Sequence, residues 1–130
     1  MTTNDRIYHI CRREEWLAGQ AAGRYGGSAQ DKADGFIHFS TADQIVASAA
    51  KHRAGQTGLV ILEVEARLLR MGLRWEPSRD GLLFPHLYKD LPTAAVARVA
   101  DLPLGPDGRH VFPWGLGPED GGAPESGSGA

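Results

Sequence analysis

The chain has 130 residues, enough for one domain with a core of its own. Its hydrophobic fraction of 42% is that of a globular protein, and a net charge of −2 excludes a global field that would draw nucleic acid or an anionic membrane, so neither is an expected partner. Cys11 is the single cysteine, which excludes an internal disulfide and any zinc site of the four-cysteine or two-cysteine, two-histidine kind. Met1 to Asp5 has neither the basic start nor the apolar run of a secretory leader, and no stretch approaches the ~20 apolar residues of a membrane span; the expected location is the cytoplasm.

In chain order, residues 6–10 read as a strand, with Tyr8 and Ile10 on one face and Ile7 and His9 on the other. Cys11 follows it as a small buried hydrophobe or, less in keeping with its apolar setting, a nucleophile. Residues 12–22 predict a helix: Glu14 and Glu15 suit its first turn, Trp16, Leu17 and Ala21 make its apolar edge, and Gly23 ends it. Arg12 and Arg13 at its start read as solvated surface. Residues 24–35 are rich in loop formers and make a long connection, the kind that often carries function.

Residues 36–39 predict a second strand. Thr41 and Gln44 fit a capping box opening a helix along one side of which lie Ile45, Ala49 and His52, joined by Ser48, with Gly55 and Gly58 ending it. Ser40 is an alternative cap one residue earlier. Residues 59–64, with the single polar Glu63 in an apolar run, read as a central strand covered on both faces. A turn or short helix spans 68–72. Residues 73–76 alternate as a strand that Pro77 keeps from continuing as a central one, Ser78 to Gly81 predict a turn, and 82–88 return as the hairpin partner. Leu91, Pro92 and Thr93 predict a brief helix, and 97–102 a last strand. One domain over 1–104 is therefore expected, followed by a Gly- and Pro-rich tail over 105–130, partly disordered, from which His110, Phe112 and Trp114 could pack back.

Chemistry concentrates on Phe36, His38 and Ser40, which share a strand face. Either His38 is a core histidine bonded to backbone and Ser40 a cap, or the face lines a cleft and offers both groups to a ligand. His9, in another apolar strand, tilts the balance toward a shared polar pocket, provided the two strands are neighbours. Glu76, between Trp75 and Pro77, is a candidate acid or base if buried and a surface partner of Arg74 or Arg79 if not. His86, between aromatic residues, is a candidate ligand group or a loop residue. His9, His38 and His86 lack the spacing of a local chelate, so no metal is expected. Walker, Rossmann and serine-elbow motifs are absent.

Taken together, Ile7 to Ile10, Asp34 to Thr41, Leu73 to Glu76 and Phe84 to Tyr88 resemble, in order, the motifs of the bacterial family called domain of unknown function 952. The resemblance covers about residues 6–102. It implies an α+β fold similar to the ADP-ribosyltransferases: a small, mostly antiparallel split β core flanked by two to three short helices around a nucleotide cleft. By that resemblance NAD or a related nucleotide is the expected ligand. By the resemblance His9, Ser40 and Thr41 would bind it, with His9 on the ribose hydroxyls, and Glu76 would be catalytic, stabilising positive charge as the N-glycosidic bond breaks. The strand-face reading adds His38 as a catalytic candidate, and His86 joins the ligand-binding set. The alternative is a binding module that holds a small anion or nucleotide without turnover. The second motif reads His-Phe-Ser-Thr rather than Ser-Thr-Ser, and His38 and His86 have no counterpart in the His-Tyr-Glu triad of the toxin branch.

Overall fold

The computed structural model describes residues 5–78 and 81–117. It is an α+β architecture with antiparallel pairing throughout: β1 (Arg6–Arg12), α1 (Arg13–Ala22), β2 (Arg24–Tyr25), α2 (Ala29–Asp34), β3 (Ile37–His38), α3 (Ile45–His52), β4 (Leu59–Glu65), β5 (Leu73–Pro77), β6 (Leu83–Leu87), β7 (Leu91–Pro92) and β8 (Val96–Asp101). One sheet has the order β1-β4-β8, a second β3-β6-β5, and β2 pairs with β7. None of the described helices is long and apolar enough to cross a membrane.

β4 is central, as its apolar run requires, and buries both faces. Val60, Leu62 and Val64 join Ile7 and Cys11 of β1 in a core shared with Trp16, Tyr25, Ile37, Phe39 and Leu87. Leu59 and Ile61 join Tyr8 and Ile10 in a second core on the opposite face, under Ile45 and Ala49 of α3. The period-two alternation of β1 thus sends Tyr8 and Ile10 toward α3 and Ile7 toward the other core. β5 is an edge strand, and its Pro77 removes no ladder donor from a central position.

Several local expectations are corrected. The connection over 24–35 is not irregular: Tyr25 pairs with Leu91, and Ser28 caps α2. Leu91 and Pro92 form β7 rather than a helix, and a single 3-10 turn follows at Thr93–Ala95. On α1 the buried residues are Trp16 and Gly19, while Leu17 is 52% exposed. On α3 Ile45 and Ala49 are buried but His52 is exposed. The Thr41–Gln44 box forms only its reciprocal half, Thr41 N–H donating to Gln44 Oε1 at 3.0 Å, and α3 begins at Ile45. The expected turn after Ser78 lies partly outside the described residues, as does the tail beyond Gly117.

Residues 105–117 pack on the body. Leu104 bridges His110, the His110 ring donates to the Gln56 carbonyl at 2.8 Å, and Phe112, Trp114 and Leu116 cover the core beside α3.

The two three-stranded sheets meet at one bridge. Tyr8 and Ser40 exchange backbone hydrogen bonds of 2.8 and 2.9 Å, while Phe39 N–H on the other side bonds Pro85 O. Away from that bridge β1 and β3 part, and the split opens a cleft between α2, α3 and the β5–β6 hairpin.

Candidate functional site

The cleft has a volume of about 810 Å³. Its lining includes Tyr8, His9, His38, Ser40, Ser48 and His86. Of the candidate residues, His9, His38, Ser40 and His86 are brought together; Thr41 and Glu76 do not line it. Thr41 faces a separate depression of about 860 Å³ with Arg67, Arg70 and Trp75. Glu76 stands behind His86, on the same face of the hairpin.

The site is organised by Asp31, which the sequence reading passed over. Ser28 accepts from Asp31 N–H at 3.2 Å, and Asp31 Oδ2 accepts from Ser28 N–H at 2.7 Å, a reciprocal box that fixes the first turn of α2. Gly35, at φ 90°, ends the helix in a conformation that costs a residue with a Cβ and returns the chain into β3. Asp31 Oδ1 then receives His38 N–H at 3.1 Å and His38 Nδ1 at 2.6 Å. Burial alone would raise this carboxyl. The His38 hydrogen bond, the nearby His9 ring and the Ser28 and His38 amides outweigh it and hold it well below the usual range. The pattern Ser28-x-x-Asp31 was the signal for this residue, hidden in a stretch whose glycines suggested an irregular loop.

His9 is a strut of this frame. Its Nδ1 donates to the His38 carbonyl at 2.6 Å, so in the neutral ring Nε2 accepts from the Tyr25 hydroxyl at 2.8 Å. Burial pushes its pKa down, against the pull of Asp31 at 3.5 Å. Only 3% of His9 is exposed and both nitrogens are engaged, which leaves none for ribose hydroxyls; its observed partners make it a support for β3. Tyr25 had no sequence signal, since it sits among glycines and charged residues. Cys11 is buried on the same side, and burial pushes its thiol up to about 12, which suits a core residue rather than a nucleophile.

His38 and His86 face each other in the cleft. They are register partners on β3 and β6, with ring centroids 5.6 Å apart. His38 Nε2 lies 3.0 Å from Asp34 Oδ2. His86 Nδ1 donates to Glu76 Oε1 at 2.8 Å, and the Tyr88 hydroxyl donates to the same oxygen at 2.6 Å. Those two hydrogen bonds, Tyr88 first, lower the Glu76 pKa. Phe36 packs at 4.2 Å on His86 and 4.5 Å on His38. Ser40 Oγ donates to Ser48 Oγ at 3.0 Å, tying the segment that follows β3 to α3. Among the described residues no group of three His, Cys, Asp or Glu side chains is arranged to hold a metal ion.

Residues 10–99 match the family model described as a protein of unknown function (DUF952). Among solved structures, the crystal structure of protein CC0527 from Caulobacter crescentus is 51% identical, covers 82% of this chain and 93% of that one, and superposes with a TM-score of 0.78. A double mutant of that protein, at 50% identity, has the same coverage and score. Its solution NMR structure, at 51% identity, covers 81% and 90% with a TM-score of 0.72. No curated protein matches the chain.

Proposed function

The chain belongs to the DUF952 family, and from that premise we propose that its cleft binds NAD or a related nucleotide, that His38 and His86 manage protons as the N-glycosidic bond is broken, and that the fold is of the ADP-ribosyltransferase kind. The fold reading is supported by the split between β1 and β3, which opens a cleft inside the β core rather than beside it. A volume of about 810 Å³ lies within the roughly 300–1,000 Å³ of small-molecule sites. Phe36 and Phe84 offer aromatic faces near the histidines.

The observation that carries the catalytic reading is the pairing of two histidines, each with a carboxylate on Nδ1, in one cleft. A carboxylate on Nδ1 fixes the tautomer and favours the imidazolium that forms when Nε2 takes a proton. In hydrolysis, the bond between ribose C1′ and the nicotinamide nitrogen breaks with its electron pair going to the nitrogen. A water oxygen bonds C1′, and its proton passes to His86 Nε2. Glu76 acts through His86 and adds negative charge near the oxocarbenium-like centre. Asp34, on His38 Nε2, must move for that nitrogen to reach a substrate.

The position of Asp34 favours a second reading, in which the cleft only binds. The two separate in one experiment. NAD is incubated with the protein and free nicotinamide is quantified. The enzyme reading expects release that drops by roughly a hundredfold or more in His86→Ala. Saturable binding of NAD or ADP-ribose without release of nicotinamide would establish the binding module instead, and absence of both would remove the nucleotide.

A further inference from the structure

We propose that Arg12, Lys51 and Arg53 form a phosphate-binding subsite at the far end of the cleft, so that its ligand is a phosphate ester rather than a free sugar or base. The identity of the ligand as a nucleotide rests on the preceding reading; the chemistry of the subsite does not.

All three side chains line the cleft. Alternation along β1 places Arg12 on the face of Tyr8 and Ile10, the face that α3 covers. Lys51 and Arg53 come from the last turn of α3 and its C-cap. Arg53 donates to the Ile10 carbonyl and to Gln56 Oε1, each at 3.1 Å, so its guanidinium is fixed across the cleft floor with donors to spare. Both acceptors are neutral, and among the described residues no carboxylate pairs with this guanidinium. Among the described residues the carboxylate paired with Arg12 is that of Glu14, at a loose 4.0 Å, and the Arg12 side chain is 57% exposed. Arg13, its neighbour in sequence, points elsewhere and is spent on Asp101.

Charge is therefore segregated. Asp31, Asp34 and Asp43 lie with the histidines, on the α2 and β3 side or the approach to α3. The cations gather where β1 ends and α3 ends, and Glu15, the acid beside them, is occupied by the Arg12 backbone N–H at 2.8 Å. A phosphate oxyanion meets a guanidinium fork held by two hydrogen bonds and two exposed cations there, and is repelled from the carboxylate-lined end. Such a ligand lies in one direction, phosphate toward α3 and its reacting group toward His38 and His86. A competing explanation gives Lys51 only a favourable place near the negative end of a helix, and it predicts no ligand.

The test uses inorganic pyrophosphate as the probe, titrated at low salt into the ¹⁵N-labelled full chain. Amide shifts should concentrate at Arg12, Lys51 and Arg53. Affinity should fall at least tenfold in the Arg12→Gln, Lys51→Gln double variant and drop steeply with added salt, and ADP-ribose should compete with the probe. The substituted side chains are exposed, and Lys51→Glu alone provides a second variant on a helix surface, with melting curves confirming the fold. Shifts centred on His38 and His86, or a double variant that binds within twofold of the parent, would overturn the subsite. Saturable pyrophosphate binding at these residues without any nicotinamide release would uphold the subsite and remove the glycosidic reading.

Discussion

His38 and His86 oppose each other on antiparallel β3 and β6 with ring centroids 5.6 Å apart, but the carboxylates behind them live in different surroundings. Asp31 is 3% exposed and its carboxylate accepts three hydrogen bonds, whereas the Glu76 side chain is 32% exposed. The same His–carboxylate geometry therefore has unequal consequences for stability.

Asp31→Asn should be strongly destabilising. It removes a buried charge that His38, Ser28 and the His9 ring all face, and loss of one member of such a network costs about 3–5 kcal/mol. Glu76→Gln should leave the denaturation midpoint almost unmoved, because water replaces what is lost. On the enzyme reading it should lower turnover and shift the pH profile by changing the ring that Glu76 supports. Equal destabilisation of the two variants in urea would contradict this division.

Acid should unfold the protein in two stages. His9 has a depressed pKa, so the unfolded chain takes up a proton there first, as pH falls below about 6.5. Its contribution is complete above that value and declines below it, with a slope of up to about 1.4 kcal/mol per pH unit. Asp31, also depressed, stabilises fully above about pH 4, the unfolded carboxyl value, and its share is lost as pH drops further through the folded value. Urea midpoints measured from pH 8 to 5 should fall in the parent and flatten in His9→Gln, whatever the absolute stability of that variant. A parent curve already flat across this range would mean that His9 is protonated in the fold.

Gly19→Ala reverses an ordinary expectation. In an exposed helix interior the change gains roughly 1 kcal/mol. Here the added Cβ would fall 2.9 Å from both Tyr25 Cα and Cβ, so the helix and β2 must separate. A loss of about 1–3 kcal/mol is expected. Because Tyr25 holds His9 Nε2, a weakened acid response should accompany it. Stabilisation in urea would show that the α1–β2 contact yields easily.

The strands of the two main sheets were legible because their signals are local. β4 announced burial on both faces by its apolar run, and Phe36, His38 and Ser40 announced a shared face by alternation. Asp31 was illegible for the opposite reason: its partners His9 and His38 come from other strands, and only tertiary closure turns a polar residue in a glycine-rich stretch into the keystone of a site. The α1 edge misled because helix periodicity names a face without naming what covers it. Leu17 fits the pattern yet stays exposed, while Gly19 is buried because Tyr25 needs its missing side chain. Glu76 has the chemistry of an acid or base, but its place opposite Phe84 on the hairpin directs it onto His86 and Tyr88, partners that lie ten and twelve residues away and that local pattern does not name.

Trp114 extends the folded unit beyond residue 104, where composition suggested a loose tail. Its ring lies 6.4 Å from Tyr8 and beneath the Arg98 guanidinium at 4.5 Å, and Arg98 in turn holds the buried Glu63 at 2.8 and 2.9 Å. The Tyr8 hydroxyl donates to the same carboxylate, and burial followed by that bond pushes its pKa up to about 12. Trp114 thus stacks on the cation of the Arg98–Glu63 pair as well as covering apolar surface, and Tyr8 connects it to the cleft and to the bridge with Ser40. Trp114→Ala should cost about 1–3 kcal/mol, less than a fully buried tryptophan because the ring is only half-buried. Part of the loss should be electrostatic, so salt should narrow the gap between variant and parent. Truncation after Leu104 should cost more, since Phe112 and Leu116 are lost too. A truncated chain melting with the parent would show that this segment contributes nothing to the core beside α3.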